Sequence, residues 1–371
     1  MSIKRNILLN PGPATTTDSV KYAQVVPDIC PREKEFCSIM EKVTEKLIKV
    51  VNGDKRHAAV MFTSSGTGGV EALVSSVIPE GKKMLIVNNG AYGKRMFDIA
   101  RRYYPEENIL HYQIPFGAYP EVSDIENLID RTNDISHILV VHHETTTGML
   151  NPVREIAEMA HSRDIKVIVD TISSYAGIEI DIERDGFDYL VSTSNKNIQG
   201  MAGIAFVITR TENIEMTAEY PKKNLYFNLY EQYMSFIKSG QMQFTPAVQV
   251  IYALNQALDE FFEETPSERY RRYAESWETL IKGISRLGFK ILLPLDKHAK
   301  LITSVLEPEN PNFNFEEMHD YLYSRGYTVY PGKIGNIGTF RIANIGAIDK
   351  SDIENFLEVL KTYLVSAGIS L

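Results

Sequence analysis

The sequence predicts an α/β fold with a large domain built on a mostly parallel sheet covered by helices, and a small C-terminal α+β domain. Strands and helices alternate from about residue 58 to residue 210. The strands are continuously apolar, as in MLIVNN and IKVIVD, which is typical of a parallel sheet buried on both faces. The chain also has 371 residues, more than one simple core usually holds.

The elements of the large domain follow in regular order. Strands are predicted within AAVMFTSS, MLIVNN, NILHYQIP, SHILVVHHE, IKVIVD, DYLVSTS and AGIAFVITR. Helices are predicted within GGVEALVSSVI, KRMFDIARRY, SDIENLIDR and VREIAEMAHSRD. Residues 222–240 have weak periodicity and predict an irregular excursion at an interface.

Two long helical patterns lead into the small domain. The first, VQVIYALNQALDEFFEE, is broken by Pro266, and the second, ERYRRYAESWETLIKGISRLG, ends at Gly288 as a C-cap. The helices FEEMHDYLYSRG and SDIENFLEVLKTYLVSAG follow, with short strands around TSVLEP, YTVYPG and TFRIANIG. These short strands and helices predict the α+β character of the last hundred residues.

Composition excludes several classes of function. The net charge is −9 without long charged runs, which argues against nucleic acid or an anionic membrane as the main partner. No apolar stretch reaches the roughly 18 residues of a membrane helix, and MSIKRNILLNPGP does not resemble a signal peptide. The two cysteines, Cys30 and Cys37, are too few for a disulfide framework or a four-cysteine metal site. We therefore expect a cytoplasmic protein without a metal.

Two strand ends carry an acid and an amine. Asp170 ends the strand IKVIVD. Lys196 lies 26 residues after Asp170, just beyond the strand DYLVSTS. Ligands of parallel sheets bind at the carboxyl ends of the strands, and an acid and an amine there suit pyridoxal 5′-phosphate. The acid would hold the ring nitrogen, and the amine would bond to the aldehyde and move protons. Each residue also fits a simpler role, Lys196 as a solvated charge and Asp170 as a turn cap.

The turn SSGTGGVEA between a strand and a helix could bind the phosphate. Ser65, Gly66 and Thr67 would present backbone N–H groups at a helix N-terminus, where the helix dipole favours an anion. The turn matches neither the Walker A loop nor GxGxxG, and such turns also exist for packing alone.

Three further side chains could complete a cofactor site. Tyr92 in NGAYG could stack on one ring face, although a tyrosine in the core fits equally well. Ile172 could form the floor of the other face, because on an extended chain it points the same way as Asp170. In HHETTTG, Thr145 could bind the ring hydroxyl while Thr147 caps the turn.

The remaining polar candidates are two histidines and an arginine. His142 and His143 are adjacent, so on a strand they face opposite ways, which favours packing over metal binding. Arg341 lies between Phe340 and Ile342 in the small domain. Its guanidinium suits a bidentate carboxylate or phosphonate, although a structural salt bridge is the alternative.

Together, the motifs LNPGP, SSGTGGVEA, NGAYG, HETTTG, VDTISSYAG, TSNKNIQG, FTP and YPGK…FRIANIG resemble the class V (fold type I) pyridoxal phosphate aminotransferases over nearly the whole chain. Within the class, HETTTG and FRIANIG are most similar to the 2-aminoethylphosphonate:pyruvate transaminases. The resemblance implies ping-pong transamination of 2-aminoethylphosphonate and pyruvate to phosphonoacetaldehyde and L-alanine, through the pyridoxamine form of the cofactor. It also implies phosphonate metabolism, in degradation or biosynthesis.

The resemblance also assigns residues and domains. Lys196 and Asp170 match the catalytic pair, and Arg341 the residue that binds the substrate anion. The remaining matches are to the cofactor site, namely Ser65, Gly66, Thr67, Tyr92, Asn195 and Thr245, the last reaching the phosphate across a homodimer interface. Asn10, Pro11 and Gly12 would lie near the substrate. The predicted segments are 1–20 near the active site, 21–262 as the cofactor-binding domain and 263–371 as the small domain.

One segment departs from the family pattern, and other functions stay open. VVPDICPREKEF replaces a segment that often contains tryptophan, and its Arg32 could contact a substrate anion or pair with Glu33 or Glu35. The main alternative is a serine/alanine–glyoxylate-type aminotransferase. A cysteine desulfurase would need Cys30 or Cys37 beside the cofactor, and a catalytically silent cofactor-binding protein is the third alternative.

Overall fold

The structure, a computed structural model, describes residues 3–334 and 337–369, and it confirms the predicted α/β fold. In the described residues the strands β1 to β14 are Ile7–Leu8, His57–Thr63, Lys83–Asn88, Ile109–Gln113, Ile135–Val141, His143–Glu144, Met149–Leu150, Lys166–Asp170, Tyr189–Thr193, Ile204–Arg210, Ile302–Leu306, Tyr327–Thr328, Tyr330–Ile334 and Ile337–Ala343. The helices α1 to α12 are Asp18–Tyr22, Lys34–Val50, Gly66–Val77, Ala91–Tyr103, Val122–Asp130, Val153–His161, Thr211–Glu215, Leu229–Ser239, Val248–Glu264, Pro266–Arg286, Phe315–Ser324 and Lys350–Ser366.

A seven-stranded sheet in the order β2-β10-β9-β8-β5-β3-β4 forms the centre of the large domain. Strand β10 runs antiparallel to both of its neighbours, whereas the pairs from β9 to β4 are parallel. Consecutive side chains alternate between the faces: Leu85 and Val87 join one buried cluster, and Met84 and Ile86 join the other. Helices cover both clusters, which explains the continuous apolar strands. None of the helices within residues 3–334 and 337–369 combines the length and apolar content that a membrane crossing requires.

The small domain has a three-stranded antiparallel sheet in the order β11-β14-β13, packed by α10 and α12. The N-terminal strand β1 pairs in parallel with β12, so the start of the described chain is attached to this domain. Helix α9 ends at Glu264 and α10 begins at Pro266, where the missing N–H of proline costs little. The exact domain boundaries stay a prediction, and Met1 and Ser2 of the predicted N-terminal segment lie outside the described residues.

Three local predictions were wrong or incomplete. Much of the segment 222–240 is the helix α8, capped by the Asn228 side chain and ended by Gly240 in the left-handed region. Its buried residues, Leu229 and Tyr233, have helical spacing that the many aromatic residues obscured. The strand within SHILVVHHE stops at Val141, and β6 forms a separate hairpin with β7. The sequence analysis also missed α2, whose buried residues follow the same helical spacing.

Candidate active site

The sheet brings Asp170 and Lys196 to one edge. Asp170 is the last residue of β8, and Lys196 lies three residues beyond the end of β9, the neighbouring parallel strand. The carboxyl ends of parallel strands share one edge, so strand pairing alone places both groups there. Asp170 is 5% exposed, and Lys196 is half-buried.

The Lys196 amine is held against the N-terminal segment. Its Nζ donates a hydrogen bond of 2.6 Å to the carbonyl oxygen of Pro11. Gly12 packs so closely that an added Cβ would lie 2.3 Å from Nζ. Burial lowers the pKa of the amine to about 8, and the positive charges of Arg341 and Arg95 act in the same direction, whereas Asp170 opposes them. Roughly a tenth of the amine is therefore neutral at pH 7, far more than for a lysine with the ordinary pKa.

The carboxyl group of Asp170 is strongly desolvated. Burial raises its pKa to about 7, although a 2.9 Å hydrogen bond from the backbone N–H of Ile172 favours the charged form. The chain turns directly after Asp170, so the extended-chain argument for Ile172 was wrong. The Ile172 side chain instead lies against Gly66, where an added Cβ would be 2.7 Å from its Cδ1.

The predicted phosphate turn is the N-terminus of α3. Ser65 is the N-cap residue, and its side chain makes no capping hydrogen bond within the described residues. The backbone N–H groups of Gly66 and Thr67 belong to the first turn, where a helix has no internal acceptors to offer them. Arg95 Nη1 donates to Thr67 Oγ1 at 3.2 Å and adds positive charge to this anion-binding terminus.

A buried carboxylate, missed in the sequence analysis, fixes the start of α4. Glu144 is fully buried and accepts hydrogen bonds from the backbone N–H groups of Tyr92, Gly93 and Thr146 at 3.1 to 3.3 Å. Burial raises its pKa, whereas these hydrogen bonds lower it. The side chain thus serves as a cap for α4 and positions Tyr92. The sequence signal was the glutamate in HETTTG, which follows an apolar strand.

The two threonines of the same motif differ. Thr145 is 2% exposed, and its Oγ1 has no hydrogen-bond partner among the described residues. Thr147 is also buried, but its Oγ1 donates to the carbonyl oxygen of Glu144 at 3.3 Å, which supports the predicted turn. An unpaired buried hydroxyl is costly, so Thr145 is suited to a bound polar group.

Arg341 enters the site from β14 of the small domain. Its guanidinium donates to the carbonyl oxygens of Thr145 at 3.4 Å and Pro331 at 3.2 Å, and its Cζ lies 4.9 Å from the centre of the Tyr330 ring. Within residues 3–334 and 337–369 it forms no salt bridge, so the structural alternative has no support there. Desolvation lowers its pKa. The side chain is a largely buried cation with no salt-bridge partner among these residues, and the more distant Glu144 favours its charged form.

Tyr92, Lys196 and Arg341 line a cavity of about 350 Å³, which is large enough for a small molecule. The cavity brings together five predicted residues, Pro11, Gly12, Tyr92, Lys196 and Arg341. Its lining residues are Pro11, Gly12, Ala91, Tyr92, Arg95, Thr146, Lys196, Tyr330, Pro331, Gly332 and Arg341. Arg95 and Tyr330 were not predicted, although Arg95 follows Tyr92 by one helical turn.

The loop after Lys196 is tied to α10 by a buried arginine that the sequence analysis also missed. Arg269 is 2% exposed and donates from Nη1 to the carbonyl oxygen of Asn197 at 2.9 Å. The Asn197 side chain in turn donates to the carbonyl oxygens of Ser173 and Tyr175 at 3.0 and 3.1 Å. These contacts fix the backbone that follows Asp170 and the backbone that follows Lys196.

Most of the other predicted residues lie outside the cavity lining, including Asp170, Thr145, Ile172 and the phosphate turn described above, and three more are placed as follows. Asn195 is half-buried. Its backbone carbonyl oxygen accepts a hydrogen bond from the backbone N–H of Ala14, and its side-chain Oδ1 accepts one from Thr193 Oγ1 at 3.3 Å. Thr245 is exposed. Arg32 is exposed and donates to Gln241 Oε1 at 2.6 Å, and it has no salt bridge with Glu33 or Glu35 in the described part of the chain.

The metal and desulfurase alternatives gain no support. His142 Nδ1 lies 3.0 Å from Ser174 Oγ, and His143 Nδ1 lies 3.1 Å from the carbonyl oxygen of Ser173. No group of three potential metal ligands occurs among the described residues. Neither cysteine lines the cavity: Cys30 is exposed, and Cys37 donates to the carbonyl oxygen of Ser239.

The site residues fit the predicted cofactor. The buried hydroxyl of Thr145 needs a polar partner, and the N-terminus of α3 offers N–H donors to an anion. Asp170 and Lys196 share one edge of the sheet, as an acid for a ring nitrogen and an amine for an aldehyde must.

Comparisons with known proteins agree with this chemistry. The class V aminotransferase family matches residues 17–333. The chain is 37% identical to a 2-aminoethylphosphonate–pyruvate transaminase of Phocaeicola vulgatus, over 96% of this chain and 98% of that protein. It is 38% identical to a bifunctional phosphonoacetaldehyde hydrolase/aminoethylphosphonate transaminase of Clostridioides difficile, and there 96% of this chain spans 56% of the relative's length.

Solved structures agree on the fold. A ureidoglycine–glyoxylate aminotransferase from Bacillus subtilis superposes with a TM-score of 0.91, covering 100% of this chain and 96% of that one at 22% identity. An alanine–glyoxylate aminotransferase from Nostoc gives a TM-score of 0.89 at 21% identity, covering 98% of this chain and 96% of that one. At such identities, the superpositions establish the architecture without assigning a substrate.

Proposed function

The chain belongs to the class V aminotransferase family and is a pyridoxal phosphate-dependent transaminase, and we propose that it interconverts 2-aminoethylphosphonate and pyruvate with phosphonoacetaldehyde and L-alanine. The observation that carries this substrate choice is Arg341, a largely buried guanidinium without a salt-bridge partner among the described residues, in the cavity of Lys196. Both proposed amino donors carry an anionic group close to the reacting carbon, and a guanidinium binds either anion bidentately. The names of the relatives support the phosphonate.

The proposed roles follow from the positions of the side chains. When bound, pyridoxal phosphate supplies the aldehyde and the electron-withdrawing ring that transamination needs. Asp170 would hold the ring nitrogen, Thr145 the ring hydroxyl, and Ser65, Gly66 and Thr67 the phosphate. The Nζ of Lys196, with its pKa lowered by burial, would take the proton from the substrate carbon and deliver it to the cofactor carbon that bore the aldehyde.

The assembly and location are also proposals. We propose a homodimer in which Thr245 reaches the partner's cofactor site, and its exposure outside the cavity of its own chain supports this role. We likewise propose that Asn195 contributes to the phosphate site and that Gly12 contacts the substrate. A cytoplasmic location in phosphonate metabolism agrees with two cysteines that form no disulfide with each other. Arg32 is proposed as a substrate contact only if the dimer brings it to a cavity, since it does not line that of its own chain.

A donor and acceptor screen tests the function. Purified protein with pyridoxal phosphate is given 2-aminoethylphosphonate and pyruvate, and alanine formation is followed. We expect turnover to be at least a hundredfold faster than with alanine or serine and glyoxylate. The Lys196→Ala protein provides the background rate. Faster turnover with glyoxylate would instead favour the serine/alanine–glyoxylate alternative, and no turnover with any pair would favour a catalytically silent binder.

A further inference from the structure

Arg95 is a second arginine on the wall of the cavity that contains Lys196 and Arg341. It lies in the first turns of α4, and its Cζ is 4.8 Å from the centre of the Tyr92 ring. Of its five N–H groups, the described residues accept one, at Thr67 Oγ1. Arg95, like Arg341, forms no salt bridge within the described ranges, and Asp170 is the acid whose charged form it favours from a greater distance.

The two arginines act on the same amine. Both positive charges lower the pKa of Lys196, which means that both guanidinium groups lie within electrostatic reach of Nζ. They approach it from different elements, because Arg341 projects from β14 in the small domain and Arg95 from α4 in the large domain. A small molecule in the cavity would therefore meet a wall that carries two cations from different domains.

The proposed substrates differ in charge and reach. A phosphonate carries up to two negative charges and three acceptor oxygens, whereas the carboxylate of alanine carries one charge and lies one carbon nearer the reacting centre. A single guanidinium at a fixed place cannot match both equally well. We propose, on the basis of the proposed function, that Arg95 is a specificity-determining residue that binds the phosphonate together with Arg341, while the carboxylate of alanine binds Arg341 alone.

The contact with Thr67 raises a competing role for Arg95, since Thr67 belongs to the predicted phosphate turn. The substrate role is favoured because Arg95 lines the same cavity as Arg341, while the phosphate turn does not line it. The α3 N-terminus also offers its own N–H donors to a cofactor phosphate. Affinity for the cofactor and affinity for the substrate anion must therefore be measured separately.

Equilibrium binding of unreactive analogues tests the inference. Ethylphosphonate and propionate, which are the two amino donors without their amino groups, are titrated calorimetrically into cofactor-loaded wild-type, Arg95→Gln and Lys94→Gln proteins. We expect Arg95→Gln to weaken ethylphosphonate binding by roughly ten- to a hundredfold, the size of one charge-assisted hydrogen bond, and propionate binding by less than about threefold. Lys94 is the matched control, because it is the adjacent cation on α4, pairs with Asp98 and does not line the cavity.

Several results would overturn the inference. Unchanged ethylphosphonate binding, an equal loss for propionate, or a wild-type protein that does not prefer ethylphosphonate would each contradict it. A loss of pyridoxal phosphate affinity in the Arg95→Gln protein, with analogue binding retained, would assign Arg95 to the cofactor phosphate. The proposed function is tested separately by turnover. If the wild-type protein binds ethylphosphonate through Arg95 but does not turn over 2-aminoethylphosphonate, the anion site is supported and the proposed substrate is wrong.

Discussion

The Nζ of Lys196 donates a hydrogen bond of 2.6 Å to the backbone carbonyl oxygen of Pro11, a residue 185 positions earlier in the chain. The N-terminal segment thereby closes one side of the amine, and Gly12 presses against the same side chain. The segment is attached to the small domain through β1 and β12. The amine of the large domain is thus held by a segment that belongs structurally to the small one.

Gly12→Ala should block the amine. Gly12 has a φ of +133°, and an added Cβ would lie 2.3 Å from Lys196 Nζ, so the lysine must move. We expect activity to fall by roughly a hundredfold, as for a misplaced catalytic group, while the protein remains folded, measured by turnover and circular dichroism. Gly81→Ala is the control, since Gly81 also has a positive φ but nothing lies within 4 Å of an added Cβ. Equal losses in both variants would mean that backbone strain, not contact with Lys196, is responsible.

Asp170→Asn should stabilise the cofactor-free protein while it inactivates the enzyme. The folded state raises the pKa of Asp170 from 3.8 to about 7, so the folded wild type holds its proton more tightly than the unfolded chain does. Wild-type stability therefore falls as pH rises from about 4 to about 7. At about 1.4 kcal/mol per pH unit, the loss is on the order of 4 kcal/mol.

Urea unfolding of both cofactor-free proteins across this pH range measures the effect. The asparagine side chain of the variant keeps an oxygen for the N–H of Ile172 and does not titrate, so we expect equal stability near pH 4 and a growing advantage of the variant up to about pH 7. Parallel stability curves for the two proteins would show that the carboxyl group is not desolvated in solution.

Thr145→Val should weaken cofactor binding without destabilising the fold. The Thr145 hydroxyl is buried and has no partner among the described residues, so its removal leaves no hydrogen bond broken there. We expect affinity for pyridoxal phosphate to drop about tenfold, and the cofactor-free protein to be as stable as the wild type or more stable by about 1 kcal/mol. Fluorescence titration of the cofactor-free protein measures the affinity.

Thr147→Val is the matched control for this experiment. The Thr147 hydroxyl donates to the carbonyl oxygen of Glu144, so its loss should cost about 1 kcal/mol of stability and leave cofactor affinity unchanged. If Thr147→Val weakened cofactor binding and Thr145→Val did not, Thr145 would not be a cofactor-binding residue.

Arg341→Gln should weaken both substrates and spare the cofactor. The guanidinium has no salt-bridge partner within the described residues and lines the cavity, so we expect KM for 2-aminoethylphosphonate and for alanine to rise roughly ten- to a hundredfold. The absorbance of the bound cofactor should not change. Arg325→Gln is the control, because this arginine also stacks on a tyrosine of the small domain, Tyr321, but lies outside the cavity. Unchanged constants for both substrates would rule out Arg341 as the anion site.

The placement of Asp170 and Lys196 at one edge of the sheet could be predicted because it depends on local pattern. Asp170 and Lys196 follow apolar strands, and neighbouring parallel strands bring their carboxyl ends together whatever the rest of the chain does. Glu144 was missed because its partners at the start of α4, Tyr92 and Gly93, are distant in the chain and meet it only through packing. Ile172 was argued from an extended backbone, which the turn after Asp170 replaces.

By itself, the sequence determined the alternation of strands and helices in the large domain, the sheet buried on both faces, the acid and the amine at its edge, and the resemblance to class V aminotransferases. Tertiary structure alone decided that Pro11 and Gly12 close on Lys196, that Arg95 shares a cavity with Arg341, and that Arg32 lies apart from it. The physical reason is that periodicity records which face of an element is buried. The pKa of Lys196 depends instead on desolvation and on the charges of residues that are distant in the chain, Arg95 and Arg341 among them.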